Sequence, residues 1–285
     1  MDIQYNSKCY TLEKKTYENG LLNNSVDATY IIHLENNGRY EQIEKQLLEY
    51  QPTNLVYIVL NKGYKNCEKK LIEQVSYQDL TDAFLQCFKH ADEHGYDNIL
   101  ILEDDFIFSP GIKETNVINT IDTFLQNKRD EGFIYYLGCV PLIIMPCDWN
   151  HYISIKSFAC HSIIYSKKSR ALFNKNIEHK HWDVILEKSV SNKYLYHIPL
   201  CYQLFTETEN KKSWGEKDGT FLMGWIKNAT IQVLGLDKRA EFGFFVLYCI
   251  AKFLLFLFAF IVMFSVMFIT IKQVSPTKIR RKKYM

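Results

Sequence analysis

The acidic run Glu103-Asp104-Asp105 follows an apolar segment, and these residue types at this spacing could hold a metal ion. The preceding Ile-Leu-Ile-Leu at 99–102 is typical of a buried strand. Side chains alternate along a strand, so Glu103 and Asp105 are expected on one side and Asp104 on the other. Adjacent carboxylates repel unless a cation lies between them, and oxygen ligands suit Mn²⁺ or Mg²⁺. The run predicts a divalent-metal site for a diphosphate, with an ordinary polar turn as the alternative.

Strands and helices alternate before this run, and they determine where it lies in the fold. Apolar segments at 28–34 and 55–60 indicate strands, while helical spacing marks 40–50 and 77–94. Further strands are predicted at 133–137 and 161–165, and a helix at 167–174. Short connections in this order predict an α/β fold with a Rossmann-type, mostly parallel sheet flanked by helices. Ligands of such sheets bind beyond the carboxyl ends of the strands, where the acidic run falls.

The chain divides into four predicted parts. Residues 1–26 show no hydrophobic periodicity and are predicted to form an N-terminal arm. Residues 27–236 are predicted to form one domain. An apolar stretch at 242–271 predicts a transmembrane helix, and 272–285 form a basic tail. Nine of the 34 basic residues but only two of the 32 acidic ones lie beyond Leu236, so the body is acidic. An acidic body speaks against nucleic acid as a partner.

The orientation of this single-pass anchor is a balance between two arguments. The basic tail favours a cytoplasmic tail and a lumenal body, since positive charge is retained inside. The first 22 residues contain no apolar segment that would translocate the body, which favours a cytosolic body and is the preferred expectation. The eight cysteines show no CxxC pair and several lie in apolar runs, so reduced thiols are expected. The sequons at Asn23 and Asn228 would be used only in a lumen.

Five segments in order resemble glycosyltransferase family 25, including its members from large DNA viruses. The first is Tyr30-Ile-Ile-His-Leu-Glu-Asn-Asn-Gly-Arg39, and the second is the acidic run after Leu102. The others are Ala159-Cys-His-Ser-Ile-Ile-Tyr165, His181-Trp-Asp183 and Pro199-Leu-Cys-Tyr-Gln203. The resemblance covers about 28–215 and implies a GT-A-like fold. It also implies a nucleotide-sugar donor and a glycan, protein or lipid hydroxyl acceptor.

The candidate site residues follow from these segments and from the chemistry of sugar transfer. Glu103 and Asp105 are the expected metal ligands, because a metal ion neutralises the diphosphate leaving group. Asp183 is the candidate base for the acceptor hydroxyl. Donor or acceptor contacts are assigned to four residues, namely Arg39, Asp104, His161 and Gln203, the last through the resemblance alone.

Each assignment has a structural alternative. Asp183 could cap a helix that begins at Val184, and His161 could serve packing alone. Arg39 could be solvated, and Trp182 and Trp214 could pack in a core instead of stacking on a sugar. At the level of the whole chain, the alternative is a membrane-tethered binding protein that keeps the fold without turnover. An aspartyl-phosphate phosphatase is not favoured, because Phe-Ile follows the acidic run.

Overall fold

The computed structural model describes residues 8–173, 181–205 and 229–274. Its strands form a seven-stranded sheet in the order β1-β3-β2-β4-β7-β6-β8 and a two-stranded sheet of β5 and β9. The strands are β1 (Tyr10–Thr16), β2 (Ala28–Leu34), β3 (Leu55–Asn61), β4 (Asn98–Glu103), β5 (Phe106–Phe108), β6 (Phe133–Pro146), β7 (His151–Ser166), β8 (Asn192–Tyr196) and β9 (Cys201–Gln203). The helices are α1 (Tyr40–Tyr50), α2 (Ser76–Glu93), α3 (Thr115–Asn127), α4 (Lys167–Phe173), α5 (Trp182–Ser189) and α6 (Ala240–Val274), with a short 3-10 helix at Pro110–Lys113.

The predicted α/β class is confirmed, and the parallel part of the sheet lies where the sequence places it. β2 pairs in parallel with both β3 and β4, as expected for strands joined through α1 and α2. β7 joins the sheet antiparallel to β4 and β6, so the whole sheet is mixed. Helix α2 ends as predicted before Gly95, whose φ of 73° is the left-handed conformation that glycine adopts without strain.

Two hydrophobic cores cover the two faces of the sheet. Helices α2 and α5 contribute to one core, which includes Phe84, Phe88 and Trp182. Helices α1 and α3 contribute to the other core. Side chains of β4 alternate between them, with Ile99 and Ile101 in the first core and the two leucines in the second. The same alternation directs Glu103, at the end of β4, to the side on which α5 lies.

The expectation of a loose arm does not hold for residues 10–16. These residues form β1, which pairs antiparallel with the whole of β3 at the edge of the sheet. An edge strand has one free side, so it tolerates the charged residues Glu13, Lys14 and Lys15, and these hide its period. Sequence periodicity alone therefore missed a strand that belongs to the body.

A disulfide joins Cys9 to Cys67, with Cα atoms 5.6 Å apart, so the expectation of reduced thiols is wrong for this pair. The bond ties the start of β1 to the connection between β3 and α2. Five other described cysteines are free, and three of them, Cys87, Cys139 and Cys201, are buried. Cysteine spacing could not identify the pair, because 58 residues separate its members.

Helix α6 belongs to the packed body at its start and extends away from it at its end. Phe244, Tyr248 and Ala251 are buried, and Tyr248 and Ala251 lie in the same core as α2 and α5. From Phe253 onward the side chains are mostly exposed. Packing of the body thus crosses the predicted boundary at Leu236, and the helix continues without a break into the apolar stretch.

Candidate active site

A tight turn after β4 carries the acidic run. The strand ends at Glu103, Asp104 and Asp105 form the turn, and β5 follows at once. β5 pairs antiparallel with β9, which places Phe106 opposite Gln203. The small sheet therefore brings the fifth segment of the family resemblance beside the second, at the carboxyl ends of the parallel strands.

Asp104 braces the end of β2 and the loop that follows it. Its Oδ2 accepts hydrogen bonds from His33 Nδ1 at 3.1 Å, from the Leu34 backbone N at 3.2 Å and from the Asn37 side chain. Arg39 donates to its Oδ1 at 2.7 Å. Burial alone would raise the pKa of Asp104, but the hydrogen bonds from His33 and Arg39 and the Arg39 charge outweigh it, so the pKa lies below its ordinary value. These hydrogen bonds favour a bracing role for Asp104 over contact with the nucleotide-sugar donor.

His33 and Asn37 are functional neighbours that sequence reasoning missed. Asn37 lies in the turn cluster after β2, and its side chain also accepts a hydrogen bond from the Arg39 backbone N at 3.1 Å. A polar side chain in the last positions of a parallel strand was the available signal, because such positions adjoin the ligand side of the sheet.

Arg39 links the two aspartates. Its guanidinium lies 2.7 Å from Asp104 Oδ1 and 3.4 Å from Asp105 Oδ2. Burial opposes the charged form of Arg39, but the nearby carboxylates hold its pKa above its ordinary value. Arg39 is thus part of the site and is not a freely solvated side chain.

Asp105 is the buried carboxylate of the run whose partners are incomplete. Gln203 Nε2 donates to its Oδ2 at 3.2 Å, whereas its Oδ1 is buried and meets no hydrogen-bond partner within the described residues. Burial, together with repulsion from Asp104, raises the pKa of Asp105 to about 7. Gln203 Oε1 is also buried and meets no hydrogen-bond partner among the described residues. Among the described residues, these two buried oxygens thus meet neither a donor nor a cation, a costly state for buried polar atoms.

Glu103 and Asp183 are electrostatically coupled across the gap between β4 and α5. Glu103 is half-buried, and desolvation of its carboxyl group raises its pKa well above the ordinary value, with repulsion from Asp105 and Asp183 adding to this effect. Asp183 is the second residue of α5, and its Oδ2 accepts a hydrogen bond from the Ala159 backbone N at 3.2 Å. His181, not Asp183, occupies the N-cap position. The helix-cap alternative for Asp183 is therefore not what the structure shows.

His161 lies inside the body, where backbone carbonyls face both ring nitrogens. Nδ1 is 2.8 Å from the oxygen of Ala159, and Nε2 is 3.2 Å from the oxygen of Cys201. Burial lowers the pKa of His161 to about 4, so the ring is neutral and donates to one carbonyl at a time. Ala159 has a left-handed φ of 54°, which bends β7 beside Asp183. His161 thus connects β7 to β9, and this geometry favours its structural alternative.

Gly138 and Trp182 complete the surroundings. A Cβ at Gly138 would lie 1.8 Å from the Cys201 oxygen and 2.8 Å from His161 Nε2, so only glycine permits this approach of β6 to β9. Trp182 is buried, stacks on Phe84 with ring centroids 4.5 Å apart, and donates from Nε1 to Tyr165, which is the core-packing alternative. The other tryptophan considered for sugar stacking, Trp214, lies outside the described residues.

The carboxylates of the site can supply part of the oxygen ligands that a divalent ion requires. In the part of the chain that the structure describes, no group of three or more His, Cys, Asp or Glu side chains is arranged around one metal position. Mg²⁺ is often held by only one or two carboxylates together with substrate phosphates and water. Glu103 and Asp105, with the unpaired Asp105 Oδ1, fit that smaller requirement.

Helix α6 begins directly behind this site. The Phe244 ring lies 5.4 Å from the His161 ring and 6.0 Å from the Tyr202 ring, measured between centroids. Among the described residues, one helix is long and apolar enough to cross a membrane, Ala240–Ile271 with a mean hydropathy of 2.9. The apolar window is not buried within the body. By length and composition, the predicted span is therefore a candidate single-pass anchor.

Comparisons with known proteins give only distant similarity. No protein-family model and no curated protein matches the chain. Mannose-1-phosphate geranyltransferase from Thermus thermophilus is 10% identical, with a TM-score of 0.37 over 60% of this chain and 73% of that one. An apo-UDP-glucose pyrophosphorylase is 10% identical, with a TM-score of 0.34 over 59% and 72%. Scores this low carry no argument about activity, and they support neither family 25 membership nor a viral origin.

Proposed function

We propose that this chain is a glycosyltransferase that moves a sugar from a nucleotide-sugar donor to a hydroxyl acceptor. The observation that carries the proposal is the buried Asp105 Oδ1 at the carboxyl end of β4, which has no hydrogen-bond partner among the described residues, and Gln203 Oε1 is in the same condition. Ligands of such sheets bind at this edge, and a diphosphate with its cation supplies what these oxygens lack. The family resemblance of the five segments supports the same class.

Each residue of the site has a proposed role. Glu103 and Asp105 would hold Mn²⁺ or Mg²⁺, which as a Lewis acid neutralises the charge of the departing nucleoside diphosphate. Gln203 orients Asp105 through its hydrogen bond to Oδ2. Asp104 fixes the loop after β2. Arg39 offsets part of the charge of the two aspartates and would donate a hydrogen bond to a phosphate oxygen of the donor.

Asp183 is proposed as the base that accepts the proton of the acceptor hydroxyl. Its carboxylate is oriented by the Ala159 backbone N, and it is near enough to Glu103 to raise the pKa of that residue. Inversion would require this base to lie on the side of the sugar opposite the leaving diphosphate. His161, with both nitrogens facing carbonyls, positions Ala159 and β9 around Asp183 and Asp105.

The membrane anchor and its orientation are the second part of the proposal. The apolar stretch of α6 would span the bilayer, and residues 275–285 of the basic tail lie outside the described residues. The Cys9–Cys67 disulfide removes the support that reduced thiols gave to a cytosolic body, since structural disulfides persist in oxidising compartments. Together with the positive-inside preference of the tail, the disulfide favours a lumenal body over the cytosolic one first expected.

A donor screen of the full-length chain in detergent tests the proposal. The purified protein is incubated with a panel of nucleotide sugars, with Mn²⁺ and with a chelator, and release of nucleoside diphosphate is measured. Metal-dependent release from one donor supports transfer or its water-dependent side reaction. Binding of a donor without release under every condition would instead favour the tethered binding protein, and failure to bind any donor would overturn both functions.

A further inference from the structure

The turn between β6 and β7 lies at one end of the main sheet, and Tyr152 beside it contacts Lys252 of α6. Only the first part of β6, Phe133–Tyr136, pairs with β8. The remaining pairs of β6 are with β7 alone, up to the last pair of Pro146 with Tyr152. The sequence predicts strands only at 133–137 and 161–165 of this segment. At the same end, His151–Ile153 of β7 pair with Tyr194–Tyr196 of β8, so the tip, Cys147–Asn150, is a turn at the end of the sheet.

The tip and the strands next to it expose large apolar side chains. Trp149 is 98% exposed, the most exposed of the large apolar residues among those described. Single exposed apolar residues are ordinary, but several together on one hairpin mark a contact surface. Those on this hairpin are Leu142, Ile143, Met145, Trp149, Ile155 and Phe158.

An ordered turn holds Trp149 outward. Asp148 Oδ1 accepts hydrogen bonds from the backbone N of Asn150 at 2.7 Å, from the backbone N of His151 at 2.8 Å and from His151 Nδ1 at 2.9 Å. The Cys147 backbone N donates to the His151 oxygen at 3.0 Å. The one acidic group of the tip is thus engaged within the turn, and the indole is its projecting side chain.

The hairpin lies beside the point where α6 becomes continuously apolar. Lys252 is the last charged residue before the uncharged stretch 253–271, and its Nζ lies 5.9 Å from the centre of the Tyr152 ring. Ile144 of β6 packs in one core with Tyr248 and Ala251 of α6. A lysine flanking a span lies at the membrane surface, so the hairpin tip is at the level of that surface.

We propose that the tip of the β6–β7 hairpin inserts Trp149 into the headgroup layer of the bilayer that α6 spans. The occupant of this surface is lipid, because Tyr152, three residues from Trp149, contacts the lysine that precedes the candidate span, and tryptophan favours the membrane–water interface. The inference rests on the proposed span. A second contact beside α6 would hold the acidic site at a constant height and tilt above the membrane.

Fluorescence quenching of the full-length chain in single-copy lipid nanodiscs tests this contact. The emission of Trp149 is the difference between the wild type and Trp149→Phe, and Trp182→Phe isolates the emission of a buried core tryptophan as the matched control. We expect acyl chains brominated near the headgroup to quench most of the Trp149 emission, with little quenching by aqueous iodide. The Trp182 emission should resist both quenchers.

Each other result overturns the inference in a distinguishable way. Strong iodide quenching without bromine quenching places Trp149 in water. Protection from both quenchers places it against another part of the chain, since a single-copy disc excludes a second molecule. Flotation with liposomes is a separate measurement. If the chain does not float with them, both the proposed span and the hairpin contact are wrong. Donor turnover in detergent is independent of all three, so the glycosyltransferase proposal stands or falls separately.

Discussion

Asp104 and Asp105 are adjacent in the chain, yet their carboxylates have opposite electrostatic environments. Asp104 receives donors from three residues at the end of β2 and in the loop after it, and also from Arg39, and its pKa lies below the ordinary value. Among the described residues, Asp105 accepts from Arg39 at 3.4 Å and from the Gln203 amide at 3.2 Å, both at Oδ2, and burial raises its pKa to about 7. The turn thus separates a residue that holds the loop from a residue with free ligand capacity.

Replacement of Asp105 by asparagine should abolish metal-dependent turnover while the fold persists. The amide keeps the size of the side chain and can still accept from Gln203 and Arg39, but it loses the charge that holds the cation. Because a bound metal supplies several kcal/mol of transition-state stabilisation, we expect a loss of at least about 100-fold in kcat/KM. Turnover with varied Mn²⁺ and the circular dichroism spectrum measure the two effects.

Asp130→Asn is the matched control for that variant, because Asp130 is an exposed aspartate on the loop after α3. It should leave both turnover and metal dependence unchanged. If Asp105→Asn keeps the activity and the Mn²⁺ dependence of the wild type, Asp105 is not a metal ligand.

Asp183→Asn should lower kcat by about 10²–10⁴-fold with little change in the KM for the donor, the range expected for loss of a general base. The asparagine oxygen can still accept from the Ala159 backbone N, so the local structure is retained. Steady-state kinetics at saturating acceptor separates the two constants. A near-normal kcat would show that Asp183 only orients the bend of β7.

Phe244→Ala should destabilise the body by about 3–5 kcal/mol, the usual cost of emptying a fully buried aromatic site. Phe244 is 0% exposed and packs on His161 and Tyr202, so its loss also loosens β9 behind Gln203. The neighbouring Phe245 is 53% exposed, and Phe245→Ala should change the stability by no more than about 0.5 kcal/mol. Chemical denaturation in detergent measures both variants. Equal effects would show that α6 does not pack on the body.

A lumenal body predicts that Cys9 and Cys67 react with a thiol reagent only after reduction. It also predicts that sealed microsomes protect the body from protease. The exposed Asn23 would then be glycosylated, and Asn23→Gln would remove one glycan-sized shift on a gel. The measurements are alkylation before and after reduction, protease protection and gel mobility. Digestion of the body with survival of a short anchored fragment would establish the cytosolic orientation instead.

Local patterns predict the parallel half of the fold well. The strands at 28–34 and 55–61 and helix α1 occur where hydrophobic period and turn residues indicate, because each buries its face on nearby elements. β1 and the extended β6–β7 hairpin were missed, since their stability comes from pairing across the sheet and not from their own composition. The Cys9–Cys67 bond depends likewise on where distant segments meet.

The sequence predicts which residues meet at the candidate site better than it predicts the contacts that each of them makes. The structure brings the acidic run, Arg39, Gln203 and Asp183 to one end of the sheet. His161 differs from expectation because a neighbouring carbonyl faces each ring nitrogen, a feature that depends on β9 and not on the local sequence. The asymmetry between Asp104 and Asp105 depends in the same way on which residues of β2 and its loop reach the turn.

Helix α6 passes from the body into the proposed span as one rigid element, with no flexible stem between Phe244 and Phe253. Inserting one residue there would rotate the body by about 100° around the helix axis and raise it by about 1.5 Å. Seven inserted residues would nearly restore the facing direction but raise the body by about 10 Å. The helical phase of this short segment therefore determines which side of the body faces the membrane surface, independently of any change in the site itself.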